Sequence, residues 1–77
     1  MKGKMKHMFP YTVLLAYPYE DPIQTYLAHV TGDTTEEAIK EGRRKACDDN
    51  DGNYDPEDFE VLAVFYGYRS DLKGDLK

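Results

Sequence analysis

FPYTVLLAY, residues 9–17, is apolar on both of its alternating faces: Tyr11, Val13, Leu15 and Tyr17 fall on one, Leu14 and Ala16 on the other. Successive side chains of a strand point to opposite faces of a sheet, so a strand apolar on both sides belongs in the middle of one. This segment therefore predicts a central strand, and its neighbours must fit around it. PYEDP (18–22) sets two prolines around an acidic centre, which punctuates a turn. Residues 23–30 then read as a second strand that pairs back as a hairpin.

GDTTEEAIKEGRRKAC (32–47) predicts a helix with its start signal written out. Asp33 or Thr34 can cap the free amides, with Glu36 or Glu37 three residues later as a capping box requires. Acids fill the first turn, and Arg43, Arg44 and Lys45 are expected in the last, which suits the helix dipole. The apolar stripe is Ala38, Ile39, Gly42 and Ala46. Small side chains let a helix lie close against a sheet, and this accounts for Gly42 despite the roughly 1 kcal/mol that glycine costs in a helix.

FEVLAVFYGY (59–68) reads as the third strand, with Phe59, Val61, Ala63 and Phe65 on one face and Leu62, Val64, Tyr66 and Tyr68 on the other. The order is β-β-α-β. A right-handed crossover from the second strand through the helix to the third skips the first strand, leaving it central. The expected fold is α+β: a three-stranded antiparallel sheet of order 2-1-3 with one helix packed on one face. The other face, with its tyrosines, is left for solvent, a partner or a second copy of the chain.

Seventy-seven residues make one domain, divided into a basic arm (1–8), a folded core (9–68) and a polar tail (69–77). A chain this short buries only about 60% of its unfolded surface. Cys47 is the single cysteine, so no disulfide can staple the monomer, which fits a reducing compartment. The start, MKGKMKHMFP, is basic and turns directly into a strand pattern, and no stretch reaches the roughly 18 apolar residues of a membrane span. A cytoplasmic protein is expected. The net charge is -5. Lys2, Lys4 and Lys6 stand at the start, and between Asp48 and Glu60 there are seven acids and no base. Phosphates are repelled by such a body, so direct nucleic-acid binding is disfavoured and a basic surface on another protein is the better match.

CDDNDGNYDPED (47–58) is the one stretch that invites a metal reading. An EF-hand loop needs Asp at position 1, Gly at position 6 and a bidentate Glu at position 12. Placing Gly52 at position 6 puts Cys47 at position 1 and Asp58 at position 12. Pro56 and a strand follow where a helix should. The stretch is not an EF-hand, and no metal or cofactor is expected. As an acidic surface it is more credible: Asp48, Asp49, Asp51, Asp55, Glu57 and Asp58, with Tyr54, Tyr66 and Tyr68, are the candidate partner-binding residues. Six of the seven tyrosines (Tyr11, Tyr17, Tyr26, Tyr54, Tyr66, Tyr68) are more than a small core can hold with every hydroxyl satisfied, and exposed tyrosine is a common interface residue. No catalytic set is found. Cys47 sits near a helix C-terminus, where the dipole disfavours a thiolate, His29 is a lone strand histidine, and Ser70 is the only serine.

Two resemblances follow from these motifs. TYLAHVTGDTTEEAIKEGRRKA (25–46) resembles the strand-into-helix segment of HicB-type antitoxins, in which Gly32, Asp33, Thr34, Glu36, Glu37 and Ala38 match a G-D-T-x-E-E-A signature. That resemblance implies a module that neutralises a partner toxin. The β-β-α-β order, with TTEEA (34–38) and FEV (59–61), is also similar to very small phage inhibitors of bacterial RNA polymerase and to small anti-CRISPR proteins. It implies a non-enzymatic protein that binds a host nucleic-acid-handling protein, a defence complex or RNA polymerase, and occludes a basic surface.

Overall fold

A computed structural model describes residues 8–70. It contains β1 (Phe9–Ala16), β2 (Thr25–Gly32), α1 (Thr35–Asp49), a short 3-10 turn (Pro56–Asp58) and β3 (Glu60–Tyr66). The strands form one antiparallel sheet of order β2-β1-β3, as the two-faced character of β1 requires. Tyr11, Val13 and Leu15 of β1 lie opposite Val30, Ala28 and Tyr26 of β2 and point toward the helix.

Thr34 is the cap. Its side chain accepts from the Glu37 amide at 3.2 Å, and the Glu37 carboxylate reaches back to the Asp33 amide at 2.8 Å. The helix then runs two residues past the expected 47, so its last turn carries Asp48 and Asp49 and not Arg43, Arg44 and Lys45. Acids at this end oppose the dipole. The end is held by side chains that the helical pattern alone does not show: the Asn50 amide group donates to Ala46 O at 2.7 Å, and its backbone N–H bonds back into the last turn. Gly52 returns its N–H to Cys47 O at 3.0 Å, with a φ of 71° that glycine adopts without steric cost.

Ala38, Gly42 and Ala46 are the buried stripe of α1. A Cβ added at Gly42 would stand 3.0 Å from Val13 Cβ, so the helix lies directly on the central strand. Around this contact Val13, Leu15, Ala28, Ala38, Ala46 and Phe59 are buried.

Strand β3 departs from strict alternation. Leu14 pairs with Ala63 but Leu15 pairs with Val61, so Leu62 is the extra residue of a β-bulge. The bulge turns Val61 to the helix side, with Val64 and Tyr66, while Ala63 and Phe65 keep the open side. The expected grouping of Val61 with Ala63 and Phe65 is thereby corrected.

The chain does not leave the sheet at β3. Gly67 bonds to Pro10 O at 2.8 Å, and Thr12 Oγ1 then donates to Gly67 O (2.7 Å) and accepts from the Arg69 amide (2.8 Å). His29 Nε2 donates to Arg69 O at 2.8 Å, and the Arg69 guanidinium lies 5.6 Å from the centre of the Phe65 ring. Residues 67–69 thus form a strap from β3 across β1 to β2, and Thr12 beneath it is wholly buried. Of the tail assigned to 69–77, residues 69 and 70 belong to or adjoin this strap, and 71–77 lie outside the described residues, as do 1–7 of the basic arm. Thr12→Val removes both side-chain bonds at little change in size. It is expected to cost about 1–2 kcal/mol and to speed amide exchange at Arg69, with helix amides unchanged.

Candidate functional site, an acidic end of the molecule

The topology gathers acids from three parts of the chain. Strand β1 runs to Ala16, which lies between Thr25 of β2 and Glu60 of β3. The helix starts where β2 ends and runs back along the sheet, so its C-terminus arrives beside the β1–β2 hairpin. The Asn50 side chain donates to Tyr17 OH at 3.2 Å, and the Tyr54 hydroxyl donates to the Glu20 carboxylate at 3.4 Å. These contacts dock the stretch after the helix onto the hairpin. Glu20 and Asp21 therefore join Asp48, Asp49, Asp51, Asp55, Glu57 and Asp58, and all but Asp58 are exposed. The negative end of the α1 dipole adds to the same potential. Between Ala46 and Tyr68 the sequence has no lysine or arginine, and the cations that reach this end come from the helix, Arg44 to Asp48 at 2.9 Å and Arg43 to Phe59 O at 3.1 Å.

Several of these carboxylates also have local partners. Asp48 pairs with Arg44 at 2.9 Å, and Arg44 holds Glu41 at 2.8 Å. The guanidinium is shared between two exposed acids, an arrangement worth little to stability. Asp49 accepts from the Tyr26 hydroxyl. Asp55 and Asp58 bracket the 3-10 turn, with Asp58 N–H on Asp55 O at 2.9 Å and Asp55 N–H on the Asp58 carboxylate at 3.4 Å. Asp51 and Glu57 are exposed and carry the least such work.

The tyrosines sit otherwise than expected. Tyr11 and Tyr26 are on the helix side of the sheet. Tyr17, Tyr54 and Phe59 form an aromatic cluster at 5.4–5.9 Å between ring centres, with Tyr26 6.3 Å from Tyr17. Tyr54 is half-buried there and serves as a strut. The hydroxyls of Tyr17, Tyr26 and Tyr54 all find partners, in Asn50, Asp49 and Glu20, which answers the expected excess of unsatisfied phenols. The open face is lined by Leu14, Leu27, Ala63 and Phe65, with Tyr68 of the strap packed on His29 at one end. Tyr66 and Tyr68 stand at the far end from the acids: Tyr66 packs on Tyr11 at 5.8 Å, and Tyr68 on His29 at 5.2 Å. The acids converge; Tyr66 and Tyr68 do not join them.

Sequence reasoning passed over Tyr19, Glu20 and Asp21. Tyr19 is 89% exposed at the hairpin tip. The signal was PYEDP itself, an acidic tripeptide with a large aromatic between two prolines.

Burial first, and then the hydrogen bond and charge of Asp49, push the Tyr26 phenol well above its ordinary range. Burial and the charge of Glu20 act in the same direction on Tyr54. The folded state therefore favours the neutral phenol. That contribution is complete below the ordinary tyrosine pKa of about 10 and is lost as pH rises above it. Urea midpoints should be flat from neutrality to about pH 9 and fall beyond about pH 10, and Tyr26→Phe should shrink that fall.

The Cys47 thiol donates to Tyr54 O at 2.9 Å and helps fix the post-helix turn. Among the described residues no three of the His, Cys, Asp and Glu side chains are placed to share a metal ion, and no helix is long and apolar enough to cross a membrane. The chain matches no protein-family model, no curated protein and no solved structure.

Proposed function

We propose that this chain is a non-enzymatic interaction protein, of the kind phages and mobile elements encode, that inhibits a host nucleic-acid-handling protein by covering its basic surface. One observation carries the proposal: the fold adds Glu20 and Asp21 of the hairpin to the acids that follow the helix, and ties the two with the Tyr54–Glu20 and Asn50–Tyr17 bonds. Concentrating exposed carboxylates at one end costs self-repulsion, and a basic partner relieves it. The carboxylates steer and orient the encounter. Exposed Tyr19 and Ile23, on the same hairpin, offer apolar area for the affinity that surface charge does not supply.

The residues of the antitoxin-like signature are accounted for by capping, since Thr34 and Glu37 hold the helix start and Gly32 is buried against it. Any chain with this strand-to-helix turn needs them, so they favour neither resemblance.

The variant that tests the proposal combines Asp21→Asn, Asp51→Asn and Glu57→Gln with Glu20→Gln, whose amide oxygen can still accept from the Tyr54 hydroxyl. It should fold as the native chain does. Native chain used as bait in a bacterial lysate should capture a nucleic-acid-binding protein that dissociates as salt rises, and the four-amide variant should capture it at least about tenfold less, a loss of about 1.4 kcal/mol. Equal capture by both would refute the role of the acidic end.

A further inference from the structure

The two edges of the sheet are not equivalent. The ladder fixes which backbone groups face outward. Gly67 N–H bonds to Pro10 O, and Tyr17 N–H bonds to Gln24 O, both at 2.8 Å. In an antiparallel pair such bonds recur at every second residue. Pro10, Thr12 and Leu14 thus address β3, and Tyr11, Val13 and Leu15 address β2. On β2 the outward groups are those of Thr25, Leu27, His29 and Thr31. That edge is guarded: Lys45 of the helix donates to His29 O at 3.0 Å. On β3, Ala63 and Phe65 address β1, which leaves the N–H and C=O of Val64 and Tyr66 facing out. Among the described residues no side chain bonds to them.

Two outward residues separated by one are the repeat onto which another strand pairs. The helix lies on β1 and β2 and reaches this side only at the entry to β3, where Arg43 donates to Phe59 O at 3.1 Å, short of Val64 and Tyr66. The side chains beside it are half-buried Val64 and exposed Leu62 and Tyr66, the last 69% accessible. The charge beside it is acidic. Glu57 and Asp58 stand just before β3 and Glu60 opens it, three acids against Arg43, whose guanidinium is engaged with Phe59 O.

We propose that β3 is a docking edge that takes an extended basic segment of the partner as a fourth strand, anchored on the backbone of Val64 and Tyr66. The proposal rests on the reading of the acidic end as a site for basic partners, and it specifies the mode of recognition. Main-chain bonds to β3 hold the segment, and lysines or arginines at its end nearest Glu57 and Glu60 set its register. A second copy of the chain is the poorer occupant, because two chains of net charge -5 repel each other.

The test uses the full chain, labelled for amide NMR, and a capped heptapeptide of alternating lysine and valine at low salt. Exchange at the Val64 and Tyr66 amides should slow at least about tenfold with peptide, and exchange at Leu27 and His29 should not. Tyr66→Pro deletes an outward N–H without touching the β1 ladder, since proline is tolerated where that N–H faces solvent. It should abolish the slowing at Val64, whereas Tyr66→Ala should keep it. Shifts confined to the acidic residues, with no slowing on β3, would overturn strand addition and leave the acidic end intact as a site. No response anywhere would remove both. Slowing that grows with protein concentration in the absence of peptide would make the occupant a second copy and overturn the proposal.

Discussion

Phe59→Ala is expected to lower the free energy of unfolding by about 3–5 kcal/mol. Phe59 is wholly buried, and its ring meets Tyr17 at 5.4 Å and Tyr54 at 5.5 Å. Among the described residues it is the largest fully buried side chain, and it stands between the helix end, the hairpin and the entry to β3. Truncation removes the transfer energy of the ring and leaves a void that three separate elements would have to close together. A domain of this length holds only about 4–12 kcal/mol in all, so the loss is a large share. Urea unfolding followed by circular dichroism checks it, and a cost under about 1 kcal/mol would show that the aromatic cluster is not part of the cooperative core.

The consequence reaches the candidate site. Phe59 supports Tyr54, and Tyr54 holds Glu20, so disturbing the cluster should also loosen the hairpin from the acidic stretch. Faster amide exchange at Glu20 and Asp21 than global unfolding explains would register that coupling.

Gly42→Val should cost about 2–3 kcal/mol. Helix propensity favours any such replacement, by up to about 1 kcal/mol for alanine, and packing opposes it. Packing wins here because the obstructing atom is Val13 Cβ at 3.0 Å, on a strand bonded on both sides. That atom has nowhere to retreat. A second substitution, Val13→Ala, removes the two methyls that an added side chain would meet at 3.2 and 3.3 Å. The pair should therefore cost less than the sum of the singles, with a coupling of about 1 kcal/mol or more. Additive costs would mean that the helix simply lifts from the sheet.

These contacts also show what was legible beforehand. The two-faced pattern of FPYTVLLAY set β1 in the centre, and the small-residue stripe of 38–46 set the helix against it, because periodicity reports burial directly. The bulge at Leu62 was not legible: it arises from the register between β1 and β3, and nothing in FEVLAVF marks it. The same limit misplaced the tyrosines. Their spacing put them on strand faces, but which face the helix covers, and which hydroxyls reach Asp49, Asn50 and Glu20, depends on contacts 23 to 34 positions apart in the chain that no local pattern encodes. The helix ran on into Asp48 and Asp49 because Asn50 and Gly52 close it, a stop signal that begins four residues beyond the last buried position, Ala46. The joining of Glu20 and Asp21 to the later acids could have been reached from topology alone. In a β-β-α-β chain the hairpin and the helix C-terminus must share one end of the sheet.

The most direct test of the central claim is competition. With the captured protein purified and its nucleic acid fluorescently labelled, anisotropy is followed as the chain is added. Occlusion predicts full displacement of the nucleic acid, with the half-point rising in proportion to nucleic-acid concentration and lying at least about tenfold higher for the four-amide variant. A complex in which partner, chain and nucleic acid remain together would contradict it.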